Sequence, residues 1–235
     1  MEKKYIYVIL TYIIMQLSAY LALPFLPQIE DPAAFTVGWS VVTFALALLL
    51  SLYLLRDEIK EFFQLRQKKI GSIVLWSVLG FIMVMLAQYA AVAIEALVFG
   101  IPPGSENTMN LSNIARQSPI FIMIIAILGP ILEELVFRKA IFGTLYKRMN
   151  FFFAALLSGV VFAVVHMDFS HILIYTAVAM VLSFIYVETK RILVPIIVHM
   201  SMNTIAIIAQ LSIDPEELEE QMKQLNDLML ILIGG

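Results

Sequence analysis

Apolar stretches of about 20 residues follow one another from end to end of this chain. At a rise of about 1.5 Å per residue, each is long enough as a helix to cross a hydrocarbon core of about 30 Å. Of the 235 residues 61% are hydrophobic and only 14% charged, where a soluble domain carries about 25% charged residues. A soluble fold is excluded. The stretches are continuous rather than alternating and longer than barrel strands, so the chain satisfies its backbone hydrogen bonds within helices rather than in a β-barrel. The expected fold class is all-α: a polytopic membrane helix bundle, one integral membrane domain over 1–235. Cysteine is absent, which removes disulfides, cysteine nucleophiles and thiolate metal sites. A net charge of -3 without an extended basic patch excludes nucleic acid as a partner.

Hydropathy places seven spans at about 5–26, 37–55, 71–99, 118–146, 150–167, 170–188 and 191–211. An amphipathic C-terminal helix is expected over 216–233, lying on the outer surface or capping the bundle. Pro24, Pro27 and Pro32 punctuate the first connection, and Ile101-Pro102-Pro103-Gly104 opens the third. Lys3 and Lys4, then Arg56, Lys60, Arg66, Lys68 and Lys69, then Lys147 and Arg148, then Lys190 and Arg191 fall on alternate connections. The positive-inside rule therefore predicts a cytoplasmic N-terminus and an external C-terminus in a multi-pass plasma-membrane protein. The start of the chain reads as a span rather than a cleaved signal peptide, because its apolar stretch is too long and lacks a small-residue cleavage site. The basic cluster at 56–69 reads as a solvated loop in preference to a site for a partner or acidic lipid.

Ionisable residues inside a bilayer are costly, so each one is a candidate for function. Span four carries Gly129-Pro130-Ile131-Leu132-Glu133-Glu134 and then Arg138. Glu134 and Arg138 stand at i, i+4 and can pair on one face, which directs Glu133 elsewhere, since neighbours lie about 100° apart around a helix. Pro130 frees a carbonyl and favours a kink at this depth. Span five carries Phe162 and His166, span seven His199 and Asn203, each pair again on one face. An imidazole and an amide on one face can stabilise an oxyanion, while His166 can share a water with Glu133. Each residue also has a plainer reading: interhelical hydrogen bonds for His and Asn, an orienting ion pair for Glu134 and Arg138, and packing or pocket wall for Phe162. Glu95, about one turn from the outer boundary, is expected to reach headgroup water. No His-Glu-x-x-His motif is present, no second membrane Asp accompanies Asp168, and Ser158-Gly159 reads as a small-residue helix contact.

Glu133, Glu134 and Arg138, then Phe162 and His166, then His199 and Asn203 resemble, in order and spacing, the three motifs of the CPBP family of intramembrane proteases. These are the CAAX-processing and bacteriocin-processing enzymes, also called the Abi family. The resemblance covers about 118–211, the catalytic motif region. It implies an endopeptidase in which Glu133 and His166 activate water, His199 and Asn203 form the oxyanion site, and Glu134, Arg138 and Phe162 support them. No cofactor is expected. Zinc is the alternative, with Glu133, His166 and His199 as its ligands. The implied substrate is a peptide or membrane-associated protein, prenylated or not, and the implied source is bacterial. Membrane lipid is the other partner, and the oligomeric state is open. Rival readings of the same polar residues are a non-catalytic membrane scaffold or regulator and a proton-coupled carrier.

Overall fold

A computed structural model describes residues 1–58, 70–212 and 223–224. It is all-helical, with no strand among the described residues. The C-terminal helix expected over 216–233 and most of the basic cluster at 56–69 lie outside them. The helices are α1 (Lys3–Ala22), α2 (Pro32–Leu54), α3 (Ile70–Phe99), α4 (Glu106–Gln117), the composite α5 (Pro119–Tyr146), α6 (Phe151–Val165), α7 (Ile172–Thr189) and α8 (Leu193–Ser212). Six of the described helical segments are long and apolar enough to cross a membrane, and α6 is a shorter apolar helix.

Local chemistry starts several helices where the sequence allows. Asp31, Ser105 and Asn150 cap α2, α4 and α6 by accepting the backbone N–H of Ala34, Thr108 and Phe153. Pro32 occupies the first turn of α2, where its missing N–H costs nothing. The connection 101–117, which hydropathy leaves without structure, contains α4. That helix is polar overall and buries only one side, through Ser112 and Ala115, so a scan for apolar length passes over it. Span five is shorter than expected: α6 ends at Val165, giving about 22 Å of helix by its rise. The stop is made by Met167, whose φ of 54° a side chain adopts only at some cost in strain.

Packing makes α5 the centre of the bundle. In its most apolar window 56% of residues are buried, against at most 39% for any other candidate span. Leu132, Val136, Phe137, Ala140 and Phe142 are almost wholly enclosed. The outer helices instead present Leu46 and Leu49 of α2 and Leu86 and Leu97 of α3 to the surroundings, as lipid-facing helices do. Helix α6 packs against its neighbours through buried small residues, Ala155, Ser158, Gly159 and Ala163. A Cβ on Gly159 would come within 3.2 Å of Thr176, and Ser158 Oγ donates to the Phe137 carbonyl at 3.0 Å. Both residues therefore serve helix contact, as small residues do in membranes.

One end of the bundle is tied by charge. Glu58, just beyond α2, receives Lys4 at 2.6 Å, Lys139 at 2.5 Å and the Tyr5 hydroxyl at 3.0 Å, joining α1, α2 and α5. Burial alone would raise the Glu58 carboxyl, but Lys139 and Lys4 outweigh it and hold it below its ordinary value. A carboxylate with a depressed folded pKa stabilises the fold above its unfolded pKa and loses that contribution as pH falls through the folded one. Glu58→Gln should therefore melt below wild type at pH 7 in detergent, and the two melting temperatures should converge as pH is lowered through the acid range. A constant gap at every pH would contradict the tie.

Candidate active site

The site begins with an irregularity in the backbone of α5. Residues Ile124–Leu128 and Glu134–Phe142 are π-helical, with α-helical Gly129–Glu133 between them. In the first π stretch the Gly129 N–H reaches back to the Ile124 carbonyl. The next carbonyl, Ile125, would in the same register be served by the N–H of residue 130, which is proline and has none. Asn203 of α8 fills the gap, its Nδ2 donating to the Ile125 oxygen at 3.1 Å. A Cβ at position 129 would lie 2.9 Å from the Ile124 carbonyl, so glycine is what this register accepts. Gly129-Pro130 is thus a widened turn cross-braced by Asn203.

That turn presents Glu133 and Glu134. The two carboxylates leave the helix in different directions, as the spacing requires, yet both arrive at one imidazole. Glu134 Oε1 lies 2.8 Å from His199 Nδ1, and Glu133 Oε2 lies 3.7 Å from Nε2. The Glu134 contact is a hydrogen bond and the Glu133 contact is too long for one. Glu134 is fully buried. Its other oxygen stands 3.2 Å from Arg138 Nε, an ion pair by distance without hydrogen-bond alignment. The Arg138 guanidinium is equally buried, with its face 4.6 Å from the centre of the Phe162 ring. The expected i, i+4 pair is present, and its carboxylate also fixes His199.

His166 is held from its other side. Its Nδ1 lies 2.8 Å from the Phe162 carbonyl; a carbonyl only accepts, so Nδ1 carries the proton and the neutral ring keeps its lone pair on Nε2. The imidazole is flanked by the rings of Phe162 and Tyr175, each with its centre 4.4 Å away and the two 6.4 Å from one another. Phe162 thus touches Arg138, His166 and, at 6.0 Å between centres, His199. Glu133, Phe162, His166, His199 and Asn203 all line one cavity of about 630 Å³. Among the described residues no three His, Asp or Glu side chains gather closely enough to hold a metal ion. The trio Glu133, His166 and His199 shares the cavity without forming such a cluster.

A second polar group closes the cavity toward the α3–α4 connection, and sequence reasoning missed most of it. Glu95, expected to reach headgroup water, is 2% exposed. It pairs with His171 Nδ1 at 2.7 Å, while His171 Nε2 holds the Gly104 carbonyl at 2.8 Å. Ser105 Oγ donates to Asp168 at 2.6 Å and lies 3.3 Å from the Tyr175 hydroxyl, which also accepts from Asn107 at 3.3 Å. The available signal was Ser105 as a helix start followed by polar residues, and a tyrosine within an apolar span.

A bundle of apolar helices around a buried Glu-Glu-His group opening on a wet-sized cavity defines a polytopic membrane protein with a hydrolase-type site. Residues 115–205 match the family described as type II CAAX prenyl endopeptidase Rce1-like. The protein named "Putative membrane peptidase YdiL" of Bacillus subtilis (strain 168) is 43% identical over 245 residues, covering 100% of this chain and 99% of its own. The membrane-embedded CAAX protease MroQ of Staphylococcus aureus (strain USA300) is 40% identical over 167 residues, 68% of this chain and 67% of its own. No solved structure matches. The chain belongs to the CPBP family of membrane proteases.

The site geometry leaves no room for a side chain at Gly129. Gly129→Ala should destabilise the protein by about 1–3 kcal/mol, the usual cost of overpacking, and should weaken the Asn203 brace. A thermal midpoint equal to wild type would show that the turn has room the distances deny.

Proposed function

We propose that this protein is an intramembrane endopeptidase of the glutamate type, hydrolysing a peptide bond with water activated by Glu133 and His166. The reading is carried by one observation: Glu133 and Glu134 approach opposite nitrogens of His199 at the wall of a cavity that His166 and Asn203 also line. The two carboxylates have separate tasks. Glu134, enclosed with Arg138 and bonded to Nδ1, fixes the orientation of His199 and supports positive charge on it, as a carboxylate does behind a catalytic histidine. Glu133, at 3.7 Å from His199 Nε2 and so outside hydrogen-bond length, is left to accept a proton.

In the proposed reaction a water between Glu133 and His166 gives up a proton as its oxygen attacks the scissile carbonyl. The carbonyl π electrons move to oxygen, and the oxyanion is met by His199 Nε2–H and by the second N–H of Asn203, the first being committed to Ile125. Collapse of the intermediate breaks the C–N bond, and the proton held by Glu133 passes to the leaving amine. Phe162 and Arg138 hold the histidines and the charge in place. By the positive-inside rule the N-terminus is cytoplasmic. The substrate class is a peptide or membrane-associated protein. The words CAAX and prenyl in the family description make a lipidated C-terminal segment the first substrate to try.

Purified protein should cleave a susceptible quenched-fluorescence peptide. Glu133→Ala, Glu133→Gln and His199→Ala should each lower kcat/KM by about 10²- to 10⁴-fold, the usual contribution of a positioned acid–base group. Equal activity in all variants would remove the mechanism. A Glu133→Gln protein that keeps its cellular phenotype would favour a scaffold. A stoichiometric metal in active protein, with activity lost to chelator and restored by zinc, would overturn the metal-free chemistry.

A further inference from the structure

We infer that Tyr175 is a positioning residue for His166, and that the α3–α4 connection, through Ser105 and Asn107, sets it. The inference rests on the catalytic reading of His166. Tyr175 projects from α7 onto the imidazole, ring centres 4.4 Å apart and planes 31° from parallel. Phe162, also at 4.4 Å but only 6.4 Å from Tyr175, flanks the imidazole at about a right angle to Tyr175 rather than from the opposite face. With Nδ1 tied to the Phe162 carbonyl, one hydrogen bond fixes a point of the ring, the nearly parallel Tyr175 ring bounds its plane from one face, and Phe162 limits it from the side. Nε2 then has one direction available.

The Tyr175 ring is itself held by a hydrogen-bond chain whose polarity can be worked out from its end. Asp168 only accepts when ionised, so Ser105 spends its single proton there, at 2.6 Å. Ser105 Oγ must then accept from Tyr175 O–H, at 3.3 Å, and it also accepts the Thr108 N–H at 3.2 Å. The Tyr175 oxygen in turn accepts from Asn107 Nδ2 at 3.3 Å. The Ser105 proton and both its lone pairs are used, in the order Asn107 to Tyr175 to Ser105 to Asp168. This half-buried chain favours one arrangement of the Tyr175 ring, because rotating it breaks hydrogen bonds at both ends. Upstream, His171 anchors the Gly104 carbonyl next to Ser105 while Glu95 holds His171.

Ser105, Asn107 and Thr108 lie outside the family match at 115–205, yet all three line the cavity together with Tyr175. The chain is anchored at both ends of one short path: Asp168 stands two residues after His166, across the strained Met167. Ser105 thereby steadies the turn that ends α6 as well as the ring that faces it.

Only three histidines are present, so selective ¹⁵N-histidine labelling in detergent micelles gives a readable spectrum, with His166→Gln assigning the ring of interest. Tyr175→Leu should shift the His166 ring signals and leave those of His199, bonded to Glu134, in place. On the peptide used above, Tyr175→Leu should lower kcat about 10- to 100-fold with KM within about twofold, the effect of a misplaced group rather than of lost binding. Tyr175→Phe, which keeps the ring, should recover most of that loss. Asn107→Ala should show smaller changes of the same kind and serves if Tyr175→Leu does not fold. Unchanged His166 signals, or wild-type kcat in the Tyr175 and Asn107 variants while His166→Ala is inactive, would overturn the inference. Full activity in His166→Ala would instead remove the catalytic reading, and the inference with it.

Discussion

A carboxylate and a guanidinium enclosed in an apolar bundle must neutralise one another or leave it, and Glu134 and Arg138 are both fully buried. Their pairing offsets part of the cost of burying charge. It leaves one oxygen of Glu134 free for His199 and the flat face of Arg138 free for Phe162. From these two contacts the site extends outward: His199 is oriented by the carboxylate, and Phe162, fixed under the cation, supports His166. The pair therefore positions groups on two neighbouring helices, α6 and α8, while being itself almost wholly enclosed. Its neighbour Glu133, 15% exposed in its side chain, is the member that the cavity reaches.

Delivering adjacent carboxylates to one imidazole demands a backbone that a regular helix does not provide. The π-helical stretches flanking Gly129–Glu133 alter the helical phase on either side of the pair, and π segments recur at functional sites for this reason. The cost is a carbonyl without its ladder partner, which Asn203 satisfies. That assigns Asn203 a structural bond through one N–H. One side chain thus links the shape of α5 to the cavity wall contributed by α8.

The sequence made the spans legible because apolar length is a direct physical requirement of the bilayer. It made the Glu134–Arg138 pair and the one-face pairing of Phe162 with His166 legible because they depend only on helical spacing. Other features depend on more than one helix. The meeting of Glu133 with His199 requires the π register, which no residue pattern announces beyond Gly129-Pro130. Glu58 looked like part of a solvated loop, since its three partners come from 4, 5 and 139, far apart in the chain. Helix α4 was hidden by its polarity, and Glu95 by its place near a span end, where exposure is the usual outcome.

The missed elements share a location, which bears on how the family's chemistry is divided along this chain. Glutamates, arginine and histidines of the motifs lie within the matched segment. Gly104, Ser105 and Asn107 lie before it, on a connection that reaches Tyr175, Asp168 and His171 by hydrogen bonds alone. Hydrogen bonds are more directional than apolar packing. At the end of α6, where the helix has stopped, polar contacts from outside the motif region orient the Tyr175 ring that lies beside His166.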